Sequence, residues 1–287
     1  MDPNISINRE TCIKCGRCVR VCPSVVFCQE SLRAEVEVQH PSRCFACGHC
    51  VAVCPTGSVG HPEFPARKVH KIDTSGLPSP EQLMLLIRAR RSNRAFSAEP
   101  VPQEYLNAIL EAAHRAPTAS NLQQVGFTLV TDPEKLRMVS DYTAGIFLGL
   151  VKKLGNPFVK PVLRLAAPNI YQQIRRLKGL IKEQGNGKDR ILRGATAVIF
   201  IHTPKGLDFG PQDSNLAYQN GSLIAESLGV SQFYTGFVCG AIRRDRKNEL
   251  ARRLGIDGTI HAGMALGMPQ FRYPNYIDKK DISVNRL

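Results

Sequence analysis

The 287-residue chain has no apolar run approaching the roughly 20 residues that a membrane-spanning helix needs; AGIFLGLV, residues 144–151, is among its longest. Its opening residues, MDPNISINRE, are polar and lack the apolar stretch of a secretory signal. Both shortages lead to the expectation of a soluble, cytoplasmic protein. No G-x-G-x-x-G follows a candidate strand, and no recognised nucleic-acid motif is present. Cysteine is nearly missing from most of the chain, since only Cys239 occurs after Cys54. Acidic residues are also short, 24 against 38 Lys and Arg, for a formal net charge of +14.

That excess charge is local. Residues 1–65 carry six Lys or Arg and six acids, whereas residues 151–193 carry eleven Lys or Arg against Glu183 and Asp189. A basic patch is the electrostatic footprint of a nucleic-acid binder, but nothing else in the chain supports that use, and no nucleic-acid partner is expected.

What is abundant is cysteine near the start. TCIKCGRCVRVCP, residues 11–23, and RCFACGHCVAVCP, residues 43–55, share one spacing, C-x-x-C-x-x-C-x-x-x-C-P. Disulfides would suit a secreted scaffold, for which no signal is seen. Structural zinc usually takes two separated C-x-x-C pairs. Three cysteines in seven residues followed by a fourth before proline suit a loop wrapped around a cubane. Gly16 and Gly48 let the backbone approach inorganic sulfide, and Pro23 and Pro55 turn the chain away. Cys28 and Cys239 fall outside both runs and are expected to be small buried hydrophobes.

These runs resemble the two-cluster bacterial ferredoxins over about residues 5–60. The resemblance implies two [4Fe–4S] clusters, the fourth cysteine of each run crossing to the other cluster. One cluster would then be held by Cys12, Cys15, Cys18 and Cys54, the other by Cys44, Cys47, Cys50 and Cys22. The expected domains are 1–62, ferredoxin-like; 63–80, a linker within a stretch containing four prolines; and 81–287, a larger domain.

In the larger part, residues 80–92 and 102–117 space their apolar residues as helices, GFTLVTD and TAVIFIHTP read as strands, and SNLAYQNGSLIAESLG reads as a helix. Long helices between strands indicate an α+β or α/β sandwich. Arg88, Arg90, Arg91 and Arg94 crowd around Ser92, either as a solvated helix end or as forked donors for a phosphate. Residues 117–123, PTASNLQ, join a helix to a strand with short polar side chains.

R-R-S-x-R-x-F, then A-P-T-A-S-N-x-Q and an apolar strand, resembles the FMN-dependent nitroreductase family over about residues 83–140 and 194–287. The resemblance implies an α+β fold, a homodimer and FMN. By it, Arg90, Arg91, Ser92 and Arg94 meet the phosphate and ribityl, and Asn121 and Gln123 reach the ribityl and ring. Thr235 and Gly236 face the ring, and Lys279 or Lys280 returns to the phosphate. The chain departs from the family at Gln124-Val125, where many members have Pro-Trp, and in the basic, amphipathic insert 141–193. That insert is expected to be a lid, with a membrane-surface helix as the alternative, and Pro168 to divide it into two helices.

Joining the two resemblances, electrons from a low-potential donor would pass through the clusters to FMN, which reduces a small organic acceptor of nitro, quinone or enone type. NAD(P)H as donor, with the clusters as outlet, is one alternative; a non-catalytic electron carrier or redox sensor is another. No catalytic acid or base is assigned, and His114 reads as structural.

Overall fold

The computed structural model describes residues 3–156, 165 and 168–287, and their contacts divide them into two units. The first comprises Met1–Leu77 and Ala119–Gln123; the second comprises Pro78–Thr118 and Gln124–Leu287.

Regular structure is sparse in the first unit. Strand β1 (Ser6–Ile7) pairs antiparallel with β4 (Val59–Gly60), and β2 (Phe27–Cys28) with β3 (Glu37–Val38). Each cysteine run folds into a short helix, α1 (Arg17–Val21) and α2 (His49–Ala52). Both start from a left-handed glycine, Gly16 at φ 67° and Gly48 at φ 77°, where a side chain would be strained. The core consists of Ile5, Val26, Phe27, Val36 and Val59 packed with Cys18 and Cys50. So small an apolar core leaves stability dependent on whatever the thiols hold.

The second unit is built on one antiparallel sheet of four strands. Its order is β5 (Gly126–Val130), β6 (Ala197–Thr203), β8 (Thr259–Gly267), β7 (Ser231–Tyr234). In β6, Ala197, Ile199 and Ile201 face one apolar cluster while Val198 and Phe200 face another. Burial on both faces explains why that strand reads as an unbroken apolar run.

On one face lie α4 (Gln103–His114) and α7 (Gly210–Ser227), burying Leu106, Ile109, Ala113 and Ala217. They approach closely at Gly221, where a Cβ would stand 3.2 Å from Met264 and 3.4 Å from Ile109 and Ala113. The other face is covered by α5 (Pro133–Leu154), α6 (Pro168–Gly185), α8 (Gly236–Ile242) and α9 (Glu249–Arg253). Asp132 caps α5, accepting from Lys135 N–H at 2.8 Å. The mixed architecture is α+β.

The basic insert contributes to this second face. Tyr142, Phe147 and Val151 of α5 are buried, and Leu177, Leu180 and Ile181 of α6 pack on the same cluster. Pro168 opens α6, where a missing N–H is tolerated; Val159, Val162 and Leu163 of the expected preceding helix lie outside the described residues. No helix among the described residues is long and apolar enough to cross a membrane.

Candidate redox site and its relatives

In the first unit, Cys12, Cys15, Cys18 and Cys54 line one cavity, so the last cysteine of the second run joins the first three of the first. Burial raises the Cys18 thiol, with Cys54 and Cys12 adding to the rise as nearby groups. Burial pushes Cys50 up to about 11, and Cys44, Cys47 and Cys22 add to it against the lowering by Val51 N–H. Each buried thiol therefore feels neighbours from both runs. Among the described residues, no three His, Cys, Asp or Glu converge on a point for a single ion.

Backbone N–H groups already aim at the sulfurs. Val26 donates to Cys22 Sγ at 3.3 Å, Ala46 to Cys44 Sγ at 3.4 Å and Ser58 to Cys54 Sγ at 3.2 Å. Burial tends to raise Cys54, yet hydrogen bonds from Thr56, Ser58 and Val59 hold it below the ordinary thiol value. Such a donor set suits thiolate ligands of an iron–sulfur cluster. His61, which sequence reasoning passed over, is 6% exposed and stands 3.4 Å from Cys44 Sγ. Burial lowers its basicity.

In the second unit, α3 (Pro80–Ala89) starts at a Ser79–Gln82 capping box and ends within the arginine cluster, with Arg88 in its last turn. Arg90 leaves helical geometry at ψ 120°, and Ser92 forms a parallel bridge with Gln232 of β7. The helix expected over residues 80–92 thus stops at Ala89, leaving Arg88 and Arg90 at its end and carrying Arg91 to Arg94 into an extended loop on a sheet edge. Gln232, fully buried, fixes that loop: its side chain donates to the Arg91 carbonyl at 3.3 Å and accepts from Tyr218 Oη at 2.5 Å.

Arg94 lies over the Phe233 ring at 5.4 Å and donates to the Ser92 carbonyl. Arg193, at φ 58°, is lowered first by burial and next by the Arg94 and Arg190 charges. Asp189 and Glu183 offset part of this, but the partly buried Arg193 facing the exposed Arg94 makes a cradle that an anion would relieve further. Arg90 lies near Glu226, whose carboxylate burial raises against the lowering by Arg91 N–H and the Arg90 and Arg272 charges. The exposed C-terminal tail passes the same loop: Arg91 donates to the Ile277 carbonyl at 3.4 Å, Asn93 to Phe271, and Arg88 covers Tyr276. Lys279 and Lys280 follow two residues later and are exposed.

Thr235 is buried and turned toward Cys239 Sγ, whereas Gly236 borders open space. A cavity of about 450 Å³ is lined by Lys205, Tyr234, Arg243, Asp245, Asn248 and His261, among others. Asn121 is placed in the first unit, where its side chain donates to the Ala46 carbonyl at 2.8 Å; Gln123 lies in the same segment at φ 52°.

Comparison with known proteins supports both halves. Residues 4–55 match the 4Fe-4S dicluster domain. The chain is 27% identical over 186 residues to the FMN reductase [NAD(P)H] of Bacillus subtilis, covering 63% of this chain and 64% of that protein. It is 45% identical over 56 residues to a NADH dehydrogenase of Thermus thermophilus, covering 20% and 27%. The chain thus spans less than two thirds of the length of these curated relatives. Its fold matches a nitroreductase crystal structure with bound FMN from Bacteroides fragilis, with a TM-score of 0.53, 20% identity, and coverage of 71% of this chain and 99% of that one. Residues 87–268, well over half of the chain, match the Nitroreductase family, and the chain belongs to that family.

Proposed function

We propose that the protein is an FMN-dependent oxidoreductase in which two [4Fe–4S] clusters deliver electrons to FMN for reduction of a small organic acceptor. The observation that carries this reading is the cavity walled by Cys12, Cys15, Cys18 and Cys54, in a chain that also carries an arginine pair whose charges repel. When bound, clusters carry single electrons and flavin exchanges them singly or in pairs, so each group supplies what the other lacks.

The residues do the holding. Cys12, Cys15, Cys18 and Cys54 would ligate one cluster; Cys44, Cys47, Cys50 and Cys22 the other. Arg94 and Arg193 would grip the FMN phosphate, helped by Arg90, Arg91, Ser92 and a tail lysine, Lys279 or Lys280. Gln123 would meet the ribityl, and the Thr235–Gly236 backbone the ring. Asn121, also proposed for the flavin from the family resemblance, has its amide committed to Ala46. The cavity beside Tyr234 is our candidate for the acceptor, its Lys205 and Arg243 favouring an anionic or electron-poor one. Two subunits would complete the site.

The likeness to the FMN reductase [NAD(P)H] favours a second reading, in which NAD(P)H is the donor and the clusters are an outlet. Anaerobic stopped-flow mixing with reduced ferredoxin, NADH and NADPH separates the two. Rapid flavin reduction by ferredoxin through prior cluster reduction is expected. Flavin reduction by a nicotinamide ahead of the clusters would overturn the proposed direction.

A further inference from the structure

The two cysteine runs are related by a shift of thirty-two residues, so that Cys12, Cys15, Cys18 and Cys22 correspond to Cys44, Cys47, Cys50 and Cys54. Backbone details follow the same shift. Lys14 and Ala46 both have positive φ, 55° and 52°. Val26 N–H donates to Cys22 Sγ as Ser58 N–H donates to Cys54 Sγ. The likeness is not complete, since Ala46 N–H meets Cys44 Sγ and Thr56 Oγ1 lies 3.7 Å from Cys54 Sγ; the buried ring among the differences is His61, which corresponds to Gln29.

Gln29 serves the backbone, donating to the carbonyls of Lys14 at 3.0 Å and Ala34 at 2.8 Å. His61 serves a sulfur. Its Nδ1 accepts from the Glu63 backbone N–H at 3.1 Å, which leaves Nε2 to carry the proton, and Nε2 faces Cys44 Sγ at 3.4 Å. Phe64, with its ring 4.9 Å away, helps hold the imidazole. A donor to a ligand thiolate favours the more negative, reduced cluster and so raises its potential; burial strengthens the effect.

Resting on the two-cluster reading above, we propose that His61 is a positioning residue that separates the two cluster potentials, making the Cys44/Cys47/Cys50/Cys22 cluster the better electron acceptor. One electron moves: the Cys12/Cys15/Cys18/Cys54 cluster, reduced by a low-potential donor such as reduced ferredoxin, returns to its oxidised state as the other is reduced. No proton moves and no bond changes.

The test is an anaerobic redox titration of the full-length holoprotein followed by electron paramagnetic resonance, for wild type, His61→Phe and His61→Gln. The expected result for His61→Phe is unchanged iron and sulfide, with one midpoint lowered by about tenfold in its reduction equilibrium, or about 59 mV for one electron. The other midpoint stays fixed. His61→Gln, which keeps an N–H donor, should recover part of the shift. In wild-type protein labelled with [15N]histidine, the cluster reduced first should show coupling to an imidazole nitrogen. Unchanged midpoints in His61→Phe, equal shifts in both variants, or no nitrogen coupling at the first-reduced cluster would overturn the inference. Wild-type protein with about four irons and a single transition would instead overturn the two-cluster reading.

Discussion

If Arg94 and Arg193 form a phosphate cradle, removing either should have opposite effects on the empty and the flavin-loaded protein. Without an anion the two cations repel, and Arg193 is lowered by burial as well. Arg193→Asn removes that burden and keeps a residue that tolerates the φ of 58° found there, so the flavin-free protein should melt at a higher temperature. With FMN present the same change deletes a charge-assisted hydrogen bond, about 1.5–3 kcal/mol, which is about a 10- to 150-fold rise in Kd. Arg94→Ala should weaken FMN by a similar factor. Its gain in flavin-free stability is smaller, because the contact over Phe233 contributes about 0.5–1 kcal/mol that is lost. The assay is quenching of FMN fluorescence in anaerobic, deflavinated protein, with iron and sulfide content confirming intact clusters and scanning calorimetry giving Tm. Unchanged FMN affinity in both variants would refute the cradle. So would a lower flavin-free Tm in Arg193→Asn, since the repulsion would then not govern the site.

Anaerobically purified protein should contain about eight irons, about eight sulfides and one dissociable FMN per chain; zinc, or about four irons, would contradict the ligand assignment. Phe200→Ala, at a fully buried position in the central strand β6, should cost about 3–5 kcal/mol of unfolding free energy by denaturant titration, and a loss below about 1 kcal/mol would mean that the strand is not where the second unit's core sits. Burial holds His202 below the ordinary histidine value of 6.5. As pH falls from 6.5 toward that lower folded value, the unfolded chain binds the proton and the folded chain does not, so stability is full above 6.5 and declines below it. The decline in Tm should flatten in His202→Gln; an identical slope would assign it to other groups.

The chemistry was legible where residue type and spacing both matter. Thiolate ligation suits the repeated cysteine spacing, and the phosphate site proposed here would use forked cations beside a hydroxyl, so both stood out in the chain. Residues that acquire their role only by folding did not. Arg193 was one charge among eleven in a basic stretch until the fold set it beside Arg94. His61 stood before a proline at the head of an apparent linker, and only its ring contacts with Cys44 and Glu63 distinguish it. Gln232 looked like an ordinary strand residue, although it anchors the arginine loop from within the sheet. The insert's amphipathic pattern correctly marked an apolar face, but periodicity cannot name the surface that face meets. Leu177, Leu180 and Ile181 meet the core of their own unit, so an insert expected as a cover is at least partly a wall.

Five residues, Ala119–Gln123, belong by their contacts to the cysteine-rich unit although the chain on either side belongs to the other. Three of them, Ser120, Asn121 and Gln123, hold positive φ without being glycine, at about 1–3 kcal/mol each when the surroundings do not enforce it. Cutting the gene at Leu77 would therefore not release two self-sufficient pieces: the C-terminal fragment would keep a loop whose template had been discarded. Maturation acquires an order for the same reason. On the two-cluster reading proposed above, the cysteine-rich unit would need its clusters to fold before it could mould this segment, so iron loading should precede flavin loading in a newly made chain.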